Sequence, residues 1–315
     1  MPKRVFITGG SGFVGAAVID ELLARGHVVR ALVNRREIAT RERLTPIRGD
    51  LSDVPALERG LVRCDAVIHL VGIIFEHPGR GMTFERIHVD GTRVVIDAAR
   101  RAGVRRYVHM SALGTRPDAV SRYHQTKYEA EQQVIQSGLE WTIFRPSMIH
   151  GPRGDFTQMQ ARWARNQAAP YFFMPYFGAG VVGEGGAGRL QPVYVNDVAR
   201  AFADALERSQ TIGQTYPLAG SERLIWPQMH RIVSRAIVRT ARWTVPIPAW
   251  YARLVAAIAP PALLPFNRDQ VIMSQEDNTA DMARFEADFG WRPGGFSEQI
   301  KEYAGQLSPR SGGRQ

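Results

Sequence analysis

The 315-residue chain has one cysteine, Cys64, and only three lysines, Lys3, Lys127 and Lys301, against 37 arginines. A single thiol excludes an intramolecular disulfide and any zinc site built on paired cysteines, and it fits a reducing compartment. The eight histidines show no pairing at metal-ligand spacing, and no two carboxylates stand out as an acid/base dyad, so no metal site is expected. Long apolar runs are missing too. The most apolar stretch, residues 250–266, contains Arg253 and the pair Pro260-Pro261 and is too short to span a bilayer. No leader is evident ahead of the first apolar run, Val5-Phe6-Ile7. A cytoplasmic location is expected, with peripheral attachment to a membrane left open.

The net charge of +10 is carried almost wholly by arginine. The arginines are scattered and form neither a basic run nor a recognisable nucleic-acid module, so nucleic acid is not the expected partner. An anionic membrane surface or an acidic protein is a better counterpart. With 44% hydrophobic and 22% charged residues, the composition is that of a globular protein. Its length suits one large α/β domain, or a nucleotide-binding domain with a smaller lobe.

The first half alternates short β-branched runs with longer helical patterns, the sign of a parallel sheet built from βαβ units. Strands are predicted over 4–8, 27–33, 45–48, 66–71, 106–110 and 141–144, and helices over 12–25, 84–102 and 121–138. Gly26, Gly103 and Gly138 end those helices. The fold class is therefore α/β, a Rossmann-type doubly wound parallel sheet with a smaller, mainly C-terminal substrate-side lobe. After Pro146 the pattern loosens into aromatic, proline- and glycine-rich sequence at 170–178 and 183–188. A strand at 191–195 and a helix at 196–207 then follow. The expected organisation is a dinucleotide-binding domain over 1–150 with its sheet completed by about 189–220, a substrate-side lobe over 151–188 and 221–307, and a disordered tail at 308–315.

The turn between the first strand and first helix reads Thr8-Gly9-Gly10-Ser11-Gly12-Phe13-Val14-Gly15. Glycines spaced by three in a strand-to-helix turn form a phosphate cradle. Gly9 permits the tight turn, Gly12 lets backbone approach a pyrophosphate, and Gly15 lets helix pack on strand. The helix dipole and the N–H groups of residues 9–15 then hold the phosphates. An NAD site places an acid at the end of the second strand to take the ribose hydroxyls. Here that strand runs into Asn34-Arg35-Arg36, which offers donors for a 2′-phosphate, so NADP(H) is favoured over NAD(H). Asp50 and Leu51, past the third strand, are placed to meet the adenine. Val71 and Gly72, after the fourth, are placed near the middle of the cofactor.

Tyr123 and Lys127 stand four residues apart on one predicted helix. Nine tyrosines and three lysines would give about 0.09 such pairs per chain by chance. A neighbouring ammonium is expected to lower the tyrosine pKa from about 10, fitting the phenol for proton exchange with a carbonyl or alcohol oxygen. Lys127 would also hold the nicotinamide ribose. The lysine is written in a chain that uses arginine almost everywhere else, and a compact ammonium suits the role better than a planar guanidinium. Ser111, at the end of the fifth strand, could fix the substrate oxygen.

These residues, with Asp50 and the segment Phe144-Arg145-Pro146-Ser147-Met148-Ile149-His150-Gly151-Pro152, resemble the extended or atypical short-chain dehydrogenase/reductases of the NAD-dependent epimerase/dehydratase superfamily. The resemblance covers about the first half of the chain and implies a cofactor contact at Pro146. Ser111-Ala112-Leu113-Gly114, the short serine-to-tyrosine spacing, the run at 191–199 and Gln275-Glu276-Asp277-Asn278 resemble more particularly the nucleotide-binding accessory subunit of respiratory complex I and its bacterial relatives. That likeness implies tight NADP(H) binding and association with a respiratory complex. His88 stands where the wider family has asparagine, and His150 where it has tyrosine, which weighs against sugar-nucleotide chemistry. His69, His109 and His150 read as structural. Three readings follow: an NADP(H)-dependent oxidoreductase acting on a small carbonyl or alcohol; a non-catalytic NADP(H)-binding structural or assembly protein; and a nucleotide-sugar epimerase or dehydratase, for which the second half supplies no recognisable phosphate grip.

Overall fold

The β-branched runs of the first half become strands, the central ones buried on both faces. The structure is a computed structural model describing residues 1–178, 188–258, 264 and 266–307; the expected tail at 308–315 and residues 183–187 of the glycine-rich stretch lie outside the described residues. The chain divides into two units. The first comprises Met1–Pro146, Val195–Leu218 and Asp281–Trp291, and the second the described residues of Ser147–Tyr194, Ala219–Ala280 and 292–307.

In the first unit, β1 (Arg4–Thr8), β2 (Val28–Val33), β3 (Leu44–Arg48), β4 (Ala66–His69), β5 (Arg106–Met110), β6 (Glu140–Pro146) and β7 (Gln214–Leu218) form one sheet. Every pairing is parallel, in the order β7-β6-β5-β4-β1-β2-β3. The helices of this unit are α1 (Phe13–Ala24), α2 (Val54–Leu61), α3 (Gly91–Arg101), α4 (Arg122–Gln136), α5 (Val195–Ala205) and α6 (Ala283–Phe289). This is a Rossmann-type α/β fold. The strand order reverses at β1, whose neighbours are β2 and β4, and a ligand crevice opens beyond the carboxyl ends at such a point.

The central strands are mainly apolar: Val5, Phe6, Ile7, Val67, Ile68, Tyr107, Val108, Ile143 and Phe144 are buried. On one face Phe6, Val67 and Tyr107 join Leu57 and Leu61 of α2 and Val95 and Ala99 of α3 in a single core cluster. On the other, α1 buries Ala17, Val18, Ile19 and Leu22 and packs against α5. Each of the larger side chains contributes roughly 1.5–3 kcal/mol by leaving water. A buried cation is also accommodated. The Arg106 guanidinium donates to the carbonyls of Glu140 and Ala205 and to the hydroxyls of Thr142 and Thr211, at 2.6–3.0 Å. It thereby ties β5, β6 and α5 together, and burial lowers its pKa to about 10.

The expected strands and helices of the first half are present with small shifts at their ends. Two features differ. The predicted helix 84–102 begins with a π-helical segment, Glu85–Asp90, before α3. The predicted strand 191–195 contracts to Val193–Tyr194, which pairs with Ile149–His150 in a separate two-stranded sheet. The seventh strand of the main sheet is instead β7, beside β6. Pro192 has no N–H to donate, and Gln191 turns its amide to the Gly220 carbonyl at 2.6 Å.

The second unit holds the helices Asp155–Ala164, Trp226–Val238, Ala249–Ile258, Arg268–Gln275 and Phe296–Tyr303. A parallel ribbon pairs Met174–Gly178 with Thr244–Pro248. Its core gathers Trp163, Met174, Tyr176, Met229, Val233, Phe296, Ile300 and Tyr303. His150 shares a 2.9 Å hydrogen bond with the Tyr303 hydroxyl, a packing role in this core. Among the described residues no helix is long and apolar enough to cross a membrane, and no three histidines, cysteines or carboxylates gather to hold a metal.

Candidate active site

The glycine turn lies directly after β1. Gly9 adopts φ +80°, a conformation in which a side chain is strained, and the Gly12 N–H closes the turn on the Gly9 carbonyl at 3.0 Å. A Cβ on Gly15 would stand 2.1 Å from the Gly9 carbonyl oxygen, and one on Gly10 would stand 2.9 Å from Ile19. Helix and strand meet here because neither residue has a side chain. Gly12 occupies the N-cap of α1 and supplies no side-chain cap, leaving N–H groups near Ser11, Phe13 and Val14 without the usual hydroxyl or carboxylate partner. Such an uncapped terminus fits a phosphate group.

Three other strand ends surround this turn. At the end of β2, Asn34, Arg35 and Arg36 are exposed, and none has a hydrogen bond or ion pair to another described residue. After β3, the Asp50 carboxylate accepts from the Ser52 N–H and hydroxyl at 2.8 and 2.6 Å, bonds that hold it below the usual carboxylate range. Leu51 packs on the core beside Gly91. After β4, the Val71 amide lies about as close to Gly9 as backbone can: a Cβ on Gly9 would be 3.1 Å from the Val71 nitrogen. Gly72 faces Lys127, whose ammonium would stand 3.1 Å from a Cβ at Gly72. The crevice side of β4 therefore meets both the glycine turn and the lysine.

Lys127 projects from α4 and is 2% exposed. Its Nζ donates to the Met110 carbonyl at the end of β5, at 3.0 Å, and to no other described residue. An ammonium has three donors, so two remain for a ligand. Burial lowers its pKa to about 8, opposed by the charge of Glu131 one turn on. Glu131 is itself buried and paired bidentately with Arg145 at 2.8 and 2.5 Å.

Tyr123 sits one turn before Lys127, wedged edge-on among the rings of Phe84, His88 and His124 at 5.2–5.8 Å. Its hydroxyl has no hydrogen bond among the described residues. The expected lowering of its pKa by Lys127 is not found. Desolvation alone pushes the phenol up to about 12, and Lys127, whose ammonium is turned toward Met110, does not offset it. Ser111, buried after β5, contacts the Thr115 hydroxyl at 3.3 Å, and its N–H donates to the Phe144 carbonyl at 2.7 Å. The Pro146 carbonyl, at the end of β6, accepts from the Leu113 N–H at 2.8 Å and steadies the same loop.

One site residue was visible in the sequence only as an oddity. His88, inside the π-helical segment, accepts the Ile73 N–H on Nε2 at 3.1 Å, so Nδ1 carries the proton and donates to the Thr126 hydroxyl at 2.9 Å. It clamps the loop after β4 to α4 between Tyr123 and Lys127. Burial and Lys127 hold it neutral, with a pKa near 2. The replacement of an expected asparagine was the available signal. His69 is similarly engaged, by Thr8 at 2.6 Å and Thr92 at 3.2 Å.

A parallel sheet whose first strand runs into this turn, with a buried lysine at the next strand end, defines a dinucleotide-binding protein of the Rossmann class. A family model described as NAD(P)H-binding matches residues 9–165. Over 261 residues the chain is 27% identical to NADH dehydrogenase (ubiquinone) 1 alpha subcomplex subunit 9, mitochondrial, of Arabidopsis thaliana, covering 80% of this chain and 62% of that protein. Over 170 residues it is 33% identical to the 4-hydroxy-2-methyl-3-oxo-4-farnesyl-3,4-dihydroquinoline-1-oxide ketoreductase of Stigmatella aurantiaca, covering 47% of this chain and 51% of that one. The chain thus spans less than two thirds of either relative. The UDP-glucose 4-epimerase of Thermus thermophilus, solved with NAD, superposes with a TM-score of 0.73 over 98% of this chain and 99% of that one, at 23% identity, a likeness of fold. Residues 9–165 thus form an NAD(P)H-binding domain, and the match to these relatives supports an extended short-chain dehydrogenase/reductase-like family.

Proposed function

We propose that this protein is an NADP(H)-dependent oxidoreductase that interconverts a carbonyl and an alcohol. The observation that carries the proposal is Lys127: a buried ammonium with two open donors, beside Gly72 and one helical turn from an unpartnered phenol. A nicotinamide held beyond β1 and β4 would supply or take the hydride. Lys127 holds the ribose hydroxyls with its free donors. Ser111 donates a hydrogen bond to the substrate oxygen and orients it. Tyr123, protonated at neutrality, gives that oxygen its proton during reduction, and solvent restores it. The Stigmatella aurantiaca relative, by name a ketoreductase, supports carbonyl chemistry. Exposed, unpartnered Arg35 and Arg36 support the 2′-phosphate, and hence NADP(H) over NAD(H).

A second reading rests on the Arabidopsis relative, whose match extends over 80% of the chain and far beyond the nucleotide-binding half. In it, bound NADP(H) stabilises a component of a respiratory assembly and turnover is vestigial.

Release and identification of the cofactor from purified protein, followed by NADPH oxidation against a panel of carbonyls with Tyr123→Phe as control, separates the two. Turnover that Tyr123→Phe reduces at least about hundredfold is expected. Tight cofactor binding with no turnover on any carbonyl would establish the second reading.

A further inference from the structure

The second unit presents an apolar surface outward. In the helix Ala249–Ile258, Trp250 is 67% exposed and Ile258 75%, with Tyr251 and Leu254 each about half exposed. Spacing by four puts Trp250, Leu254 and Ile258 on one face, while Ala252 turns inward and is buried. The helix packs on the ribbon of Met174–Gly178 and Thr244–Pro248. At the start of that ribbon the Met174 N–H donates to the Trp243 carbonyl at 2.8 Å. Phe172 and Trp243, each 82% exposed, therefore stand at the same end.

The sequence that carries these rings is rich in arginine and poor in acid, Asp269 at the start of the neighbouring helix being the first acid to follow. Residues 223–268 hold seven arginines and no aspartate or glutamate, where the average acid density of the chain would place about four. Residues 156–183 are likewise free of acids and contain Arg162 and Arg165. Arg235, Arg239, Arg253 and Arg268 are exposed.

We propose that this face docks on the surface of an anionic lipid bilayer. The helix is ten residues long, far too short to span, but its aromatic side chains are those that settle at headgroup depth. Arginines interleaved with them would pair with lipid phosphates. A second copy of the chain is a poorer occupant, since joining two such faces would set arginine against arginine. The inference is independent of the catalytic reading.

The test is cosedimentation of the full chain with vesicles of phosphatidylcholine containing roughly one quarter phosphatidylglycerol, and with phosphatidylcholine alone, at low and high salt. Binding is expected only to the anionic vesicles and should weaken as salt rises. The double variant Trp250→Ser/Ile258→Ser should lose about tenfold or more in affinity, and so should Arg239→Glu/Arg253→Glu. Val62→Ser, an exposed apolar site in the other unit, should bind like the parent. NADPH titration of every variant reports the dinucleotide site separately, so a failure there bears on the proposed enzyme and not on this face. Absence of binding to anionic vesicles, or equal binding by the double variants, would overturn the proposal. So would a dimer in sedimentation velocity that Trp250→Ser/Ile258→Ser abolishes, because the face would then be a self-association surface.

Discussion

The Lys127 ammonium is anchored to the carbonyl oxygen of Met110 at 3.0 Å, a contact between the middle of α4 and the end of β5. The bond fixes where the charge sits, and burial makes that charge costly.

The cost gives the first prediction. Lys127 has a folded pKa near 8 against an ordinary 10.5. The unfolded chain therefore binds more protons between those values, and this group's penalty, full below about pH 8, is relieved as pH rises toward 10.5. Lys127→Met should stabilise the fold at pH 7, by up to about 3 kcal/mol, while weakening NADPH binding by tenfold or more. Thermal melts at pH 7 and pH 10 with parallel NADPH titrations check both halves. A variant that melts several degrees below the parent at pH 7 would count against the assignment.

Arg35 and Arg36 should discriminate between cofactors. Each charge-assisted hydrogen bond to a 2′-phosphate is worth about 1.5–3 kcal/mol. The double variant Arg35→Ala/Arg36→Ala is expected to lose roughly ten- to a hundredfold or more in NADPH affinity with NADH affinity little changed. Equal losses for the two cofactors in calorimetric titrations would remove the argument for NADP(H).

His88→Phe keeps the stacking on Phe84 and the edge contact with Tyr123 but leaves the Ile73 N–H without its acceptor. An unmade buried bond costs about 1–3 kcal/mol. Urea denaturation should show that loss, and the KM for NADPH should rise more than kcat falls, because the loop after β4 is released while Tyr123 stays in place. Rescue by His88→Asn, or by His88→Gln, is expected to be partial. An unchanged KM would mean that the clamp has no bearing on the cofactor.

Acid should destabilise the protein well before its carboxylates titrate. His69, His88, His109, His150 and His230 are buried and held below the ordinary 6.5, in each case chiefly by desolvation. His109 lies stacked near His69 and Tyr107, both ring nitrogens without a partner among the described residues. Below about pH 6.5 the unfolded imidazoles take up protons that the folded ones refuse, so stability is full above that pH and falls below it. Each histidine contributes about 1.4 kcal/mol per pH unit. Denaturation free energies at pH 7 and pH 5 should differ by several kcal/mol. A flat profile across that window would exclude neutral burial of these rings.

The sequence alone determined strands β1 to β6 and helices α1, α3 and α4, because strands buried on both faces leave unbroken β-branched runs and helices leave a 3.6-residue period. It also determined the glycine turn, since glycines spaced by three after a strand are a local pattern, and it set Tyr123 beside Lys127 on one helix for the same reason. What passes through distant partners was decided by tertiary structure. Strand β7 is short and contains Pro217, and its place beside β6 depends on long-range pairing. Helix α2, only eight residues long, was not anticipated; it is set by the Asp53 cap and by packing on Phe6. The electrostatics of the lysine–tyrosine pair reversed the local expectation: proximity along a helix favours a phenolate, whereas the fold desolvates the phenol and turns the ammonium to Met110. His88 became a clamp only when the loop after β4 came within reach of α4, a juxtaposition of residues 15 and 38 positions apart in sequence.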